Sequence, residues 1–91
     1  MKKEIINGEI CTEVETLEDV FLINQEKQVL FVEEYNGFYY IRFEPESYYD
    51  NSMYKINKST NRAKLIYWMD YFFEVDGKGK RVDPETLKRA G

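Results

Sequence analysis

The chain contains no histidine, one cysteine and two prolines among its 91 residues. Without imidazole it lacks the side chain that titrates near neutral pH and the commonest protein metal ligand. A Ser-His or Cys-His nucleophile cannot be assembled, and neither can a zinc site of Cys/His type. Cys11 has no second cysteine to pair with, which points to a reducing compartment. No apolar run approaches the about 18 residues of a membrane-spanning helix. The opening Met1-Lys2-Lys3-Glu4 is not followed by an apolar signal core, so a cytoplasmic protein without a membrane segment is expected. Chemistry is left to Lys, Tyr and carboxylates. No catalytic residue, cofactor or metal site is assigned, and a non-enzyme is expected.

What is present is unevenly placed. Residues 1–50 hold twelve Asp/Glu against four Lys/Arg, a balance of −8, and residues 51–91 hold nine Lys/Arg against five Asp/Glu, a balance of +4. All fifteen aromatics lie between Phe21 and Phe73. An acidic, aromatic surface beside a smaller basic one suits contact with a macromolecule better than bond-making chemistry. A chain of this size buries roughly 60–70% of its unfolded surface, enough for one modest core, so residues 1–91 are read as one domain. The lean toward Lys, Ile, Asn, Tyr and Glu matches AT-rich coding, as in a low-GC bacterium, its phage or a mobile element.

Local patterns predict mostly strands. Asn7-Gly8 and Asn36-Gly37 each suit a type I′ turn, which needs two residues at positive φ. From Glu9 to Glu15 the chain alternates, with Ile10, Thr12 and Val14 toward the core. Cys11 reads as a small hydrophobe on a mostly polar face. The clearest hairpin pairs Gln28–Tyr35 with Phe38–Glu44, and Pro45 ends it because proline cannot donate to a ladder. Met53–Asn57 and Arg62–Trp68 make a further hairpin through Lys58–Asn61, closed by a left-handed residue; the rival reading is a helix capped at Ser59 or Thr60, with Leu65, Trp68, Met69 and Phe72 on one face. Helix is expected over Met69–Val75 and over 84–90, where Asp83 caps, Pro84 takes the first position and Glu85 the first turn. Thr16 and Asp19 can cap a helical start, after which Val20–Ile23 reads as a strand; a helix is the rival reading there. Asp76–Lys80 reads as an exposed loop.

These elements predict an α+β fold. A single small domain would hold an antiparallel meander of five or six strands, with short helices toward the C-terminus. The expected core is Ile5, Ile10, Val20, Leu30, Val32, Ile41, Phe43, Ile56, Leu65, Trp68, Phe72 and Leu87.

Candidate contact residues follow from strand alternation. One face of the strand 38–44 is core, and the other would show Tyr and Arg to solvent. Tyr39, Tyr40, Arg42, Tyr48 and Tyr49 are therefore candidates for a protein interface, where Tyr and Arg are favoured anchors. They also suit single-stranded nucleic acid, with bases stacked on rings and phosphates on Lys78, Lys80, Arg81, Lys88 and Arg89, although the −8 balance of residues 1–50 opposes phosphate binding. The bland alternative is cross-strand aromatic pairing within a sheet. Gly77-Lys78-Gly79-Lys80 lacks the spacing and the Lys-Ser/Thr ending of a phosphate loop. Asp70 and Glu74 would lie one turn apart on a helix. Clustered Asp/Glu could alternatively imitate a nucleic-acid backbone. The expected function is a non-catalytic binding protein with a protein partner, with homodimerisation through an edge strand as an option.

Overall fold

The computed structural model of the chain describes residues 2–6 and 9–89, with side chains described over residues 14–88. Strands β1 (Lys2–Ile6) and β2 (Glu9–Glu13) pair as a separate two-stranded ribbon. The predicted Asn7-Gly8 turn and the side chains of Ile5, Ile10 and Cys11 lie outside the described residues.

The main sheet grows from the two predicted hairpins. Strand β3 (Val29–Tyr35) turns into β4 (Phe38–Phe43) through Asn36 at φ 52° and Gly37 at φ 84°. Two successive left-handed residues are what a type I′ turn demands, and glycine meets that demand without a Cβ clash. Strand β5 (Ser52–Asn57) turns into β6 (Ala63–Tyr67), with Asn61 left-handed at φ 57°. The Oδ1 of Asn57 accepts the amides of Ser59 and Thr60 at 2.8 and 3.2 Å, which fixes the loop. Helix α2 (Trp68–Val75) then carries the chain across one sheet face to β7 (Lys80–Arg81), which pairs with β3. The strand order is β6-β5-β4-β3-β7, with every neighbouring pair antiparallel. Helix α3 (Pro84–Arg89) follows as predicted. The α+β class and the antiparallel meander are thus as the sequence implies.

Residues 17–23 are a helix, α1 (Leu17–Ile23), and not a strand from Val20. The cap decides the contest. Asp19 N–H donates to the Thr16 hydroxyl at 3.2 Å, while Thr16 N–H and Glu15 N–H both donate to the Asp19 carboxylate at 3.1 Å. Three amides around the helix start are satisfied at once, which a strand would not achieve. The helix buries Val20 and leaves Leu22 and Ile23 in solvent, so no polar face was needed. Asn24 closes it by donating to Val20 O at 2.8 Å.

The sheet is covered on both faces. Val20 of α1 and Leu87 of α3 pack with Val32, Ile41, Phe43 and Ile56 on one face. Tyr71 and Val75 of α2 pack with Tyr40, Met53 and Ile66 on the other. Six expected core residues are therefore buried, while Leu30, Leu65 and Phe72 are 50–58% exposed and Trp68 is partly buried. A β-bulge explains Leu30: Val29 opposes Phe43 and Phe31 opposes Arg42, leaving Leu30 as the extra residue. Leu65 shares the α1/α3 side of the sheet with Ala63, but on the edge strand, where the cover ends. On α2 the inward pair is Tyr71 and Val75, one turn apart, which turns Phe72 outward.

The Gly77–Lys80 segment is a structural bend. A Cβ on Gly79 would lie 3.0 Å from Val75 Cγ1 and 3.2 Å from Glu33 Cβ, so a larger residue here would push these neighbours back by a few tenths of an ångström. The loop expectation overlooked β7, since two residues are too short to show a period.

Candidate binding surfaces

The expected Tyr/Arg surface of β4 is not in solvent, because α2 covers the face that carries Tyr40 and Arg42. Tyr40 is buried, and its hydroxyl donates to Glu74 Oε2 at 3.2 Å. Burial first, and then the Glu74 carboxylate, push that hydroxyl above its ordinary titration range. Arg42 is also buried. Its Nη1 donates to Ser52 O and its Nη2 to Asp50 O at 2.8 Å, and its guanidinium lies 5.2 Å from the centre of the Trp68 ring. Tyr39 is half-buried on the opposite face, with Lys58 Nζ 5.2 Å from its ring centre.

Tyr48 and Tyr49 do reach solvent, at 94% and 86% exposure, with ring centres 5.2 Å apart in an edge-on pair. Their loop is well anchored. Asp50 accepts the Glu46 amide at 3.0 Å, the Ser52 amide at 3.1 Å and the Ser52 hydroxyl at 2.7 Å. The Glu46 amide foremost, and then the Ser52 groups, hold the Asp50 carboxyl down at about 2. The loop ends at Asn51, whose carbonyl accepts the amide of Trp68 at 3.0 Å. Arg42 and this bond together join the Tyr48–Tyr49 loop to the start of α2.

Helix α2 supplies a surface that pattern reading took for core. Its inner face is Tyr71 and Val75; its outer face is Met69, Phe72 and Phe73, exposed by 64%, 58% and 80%. Spacing of three and four residues places those outer side chains side by side. Phe72 is stacked on Trp68 with centres 5.2 Å apart. The clue in the sequence was the run Tyr71-Phe72-Phe73, which gives a short helix apolar groups on both sides. Asp70 and Glu74 flank this face. Asp70 accepts the Tyr67 amide at 3.2 Å, and Glu74 pairs with Lys55 at 2.9 Å, so neither is set to share a cation with the other. Among the described residues no group of three or more His, Cys, Asp or Glu is arranged to hold a metal ion.

The predicted basic residues are exposed but partly tied down. Arg81 packs 4.7 Å from the centre of the Phe31 ring, and its Nε lies 3.5 Å from Glu33 Oε2. Lys88 lies 5.8 Å from the Phe21 ring centre and 3.4 Å from Glu85. Lys78 and Lys80 are exposed around the β7 edge. The side chain of Arg89 lies outside the described residues. A second cationic group was missed: Lys55, Arg62 and Lys64 gather on the β5–β6 hairpin around a cavity of about 320 Å³. Strand period would have found it, because residues 62 and 64 share a face and Lys64 opposes Lys55.

None of the described helices is long and apolar enough to cross a membrane. Comparison of the chain with protein-family models, with curated proteins and with solved structures returns no match, so these surfaces stand on their own geometry.

Proposed function

We propose that this chain is a non-catalytic binding protein that holds a protein partner on the outer face of α2 and on the Tyr48–Tyr49 loop. The observation that carries the reading is the exposure of Met69, Phe72 and Phe73 together on one eight-residue helix. Contiguous apolar side chains in solvent mark interaction sites, and Met and aromatic residues are enriched at interface centres. The helix contains Asp70 and Glu74 and no basic residue. The complementary partner is therefore a protein surface with an apolar pocket and a basic rim. Asp70 has no ion pair among the described residues and repels phosphates, which favours protein over nucleic acid at this face. A reducing, cytoplasmic setting is in keeping with the single cysteine.

The test is a tagged capture from source-organism lysate after nuclease treatment, run in parallel with wild type and with a Met69→Ser, Phe73→Ser variant. Both positions are exposed, so the variant is expected to keep the fold, which its circular dichroism checks. A protein retained by wild type and lost from the variant supports the reading. Equal retention by both removes the α2 face from it.

A further inference from the structure

We infer that the β5–β6 hairpin carries an anion site that takes a phosphate group, separate from the protein-binding face of α2. The sheet register builds it. Lys55 and Lys64 are direct partners across β5 and β6, and Arg62 lies two residues before Lys64 on the same face. The three cations border one cavity of about 320 Å³, together with Phe38, Asn57 and Thr60; among the described residues no carboxylate lines it, and Glu74 meets only Lys55 of the three, at 2.9 Å.

The lining offers donors. Asn57 Oδ1 is already taken by the amides of Ser59 and Thr60, which leaves the Nδ2 donor. Thr60 Oγ1 accepts the Arg62 amide at 3.3 Å, which leaves its hydroxyl proton to give. Lys55 is fixed in place by Glu74 at 2.9 Å and by the Phe38 ring, whose centre is 4.3 Å from Nζ. Arg62 and Lys64 are exposed and make no ion pair among the described residues. A fork of guanidinium donors, the Lys64 ammonium, the Lys55 protons not given to Glu74, an amide and a hydroxyl suit a ligand that only accepts, carries negative charge and has several oxygens. A phosphate group is such a ligand. Like charges placed directly opposite on a hairpin oppose folding, and an anion between them reverses the sign of that interaction.

The experiment is an amide-resolved NMR titration of the full chain with inorganic phosphate, at an ionic strength held constant with sodium chloride. Saturable shifts centred on Lys55, Thr60, Arg62 and Lys64 are expected. Lys64→Thr and Arg62→Gln should each weaken binding about tenfold or more, the scale of one lost charge-assisted hydrogen bond. A Lys78→Thr, Lys80→Thr variant should bind as wild type does. Shifts that grow linearly without saturating, or a loss of binding in the Lys78/Lys80 variant equal to that at Lys64, would overturn the site. Repeating the titration with a mononucleotide and with a short oligothymidylate tells a small phosphate ester from a polymer backbone as the source of the group. Both variants of the hairpin alter exposed side chains, and their amide spectra report independently whether the fold is kept.

Discussion

Arg42 lies 5.2 Å from the ring centre of Trp68 and donates to two carbonyls beyond its own strand, Asp50 O of the following loop and Ser52 O at the start of β5. One buried side chain thereby joins β4, the Tyr48–Tyr49 loop and the start of α2. Its Nε makes no hydrogen bond, so the two terminal nitrogens and the ring carry the whole interaction. Lysine has the charge without the fork. Arg42→Lys should leave one partly buried carbonyl without its donor and destabilise the fold by about 1–3 kcal/mol. Urea unfolding followed by Trp68 fluorescence measures this. An unchanged midpoint would mean that the fork is not what holds the loop.

A second buried contact of a charged group lies about one turn further along α2. Tyr71 donates its hydroxyl to Glu33 Oε1, and both residues are buried between the helix and the sheet. Arg81 Nε approaches the same carboxylate at 3.5 Å from a largely exposed position. The hydroxyl is the better-shielded partner. Tyr71→Phe should cost about 1–3 kcal/mol by stranding a buried carboxylate oxygen. Arg81→Gln should cost under about 1 kcal/mol, as exposed partners do. Denaturation of the two variants side by side checks the order, and a larger loss at Arg81 would reverse this reading.

Acid should loosen the Tyr48–Tyr49 loop within a defined window. The Asp50 carboxyl titrates near 2 in the fold, against about 4 in an unfolded chain. A group held below its unfolded value stabilises the fold fully above about pH 4, and that contribution fades as pH falls through about 2. Asp50→Asn removes the charge but keeps an oxygen acceptor. Its thermal midpoint should lie below wild type near neutrality, and the gap should close between about pH 4 and about pH 2. A gap that stays constant through this range would assign the difference to shape and not to charge.

What the sequence disclosed and what it hid follow one division. Asn36-Gly37, Asn61 and Asp83-Pro84 act locally, through φ, turn closure and helix capping, so the hairpins and α3 were legible. Thr16 and Asp19 are also legible, and their capping bonds outweigh the strand preference of the apolar run Val20–Ile23. The faces were harder to assign. Alternation tells that Tyr40 and Arg42 share a side with Phe38, and not that α2 will cover that side. That cover depends on a crossover from β6 at one edge to β7 at the other, and β7 is only two residues long. The phase of α2 was lost in the same way. Five of its eight residues are large and apolar, so the periodicity does not choose between Tyr71 and Phe72 as the inward side chain.

The pair of lysines on the β5–β6 hairpin gives a prediction whose sign is unusual for a surface change. Lys55 and Lys64 oppose one another across the ladder. Lys55 has Glu74 and the Phe38 ring to offset the repulsion, whereas Lys64 has no ion pair among the described residues. Lys64→Thr removes a like charge and adds a β-branched residue suited to a strand. It should raise stability by about 0.2–1 kcal/mol, most clearly at low salt where screening is weak. Lys55→Thr should do the opposite, because it also strips Glu74 and the Phe38 ring of their cation. Thermal melts of both variants at low and high salt separate the two effects. If Lys64→Thr is stabilising while it weakens phosphate binding, the hairpin retains a charge that works against its own folding, and that cost is accounted for by what the charge binds. If Lys64→Thr is destabilising, the lysine has a structural role, and the argument from opposed charges fails even though the cavity remains.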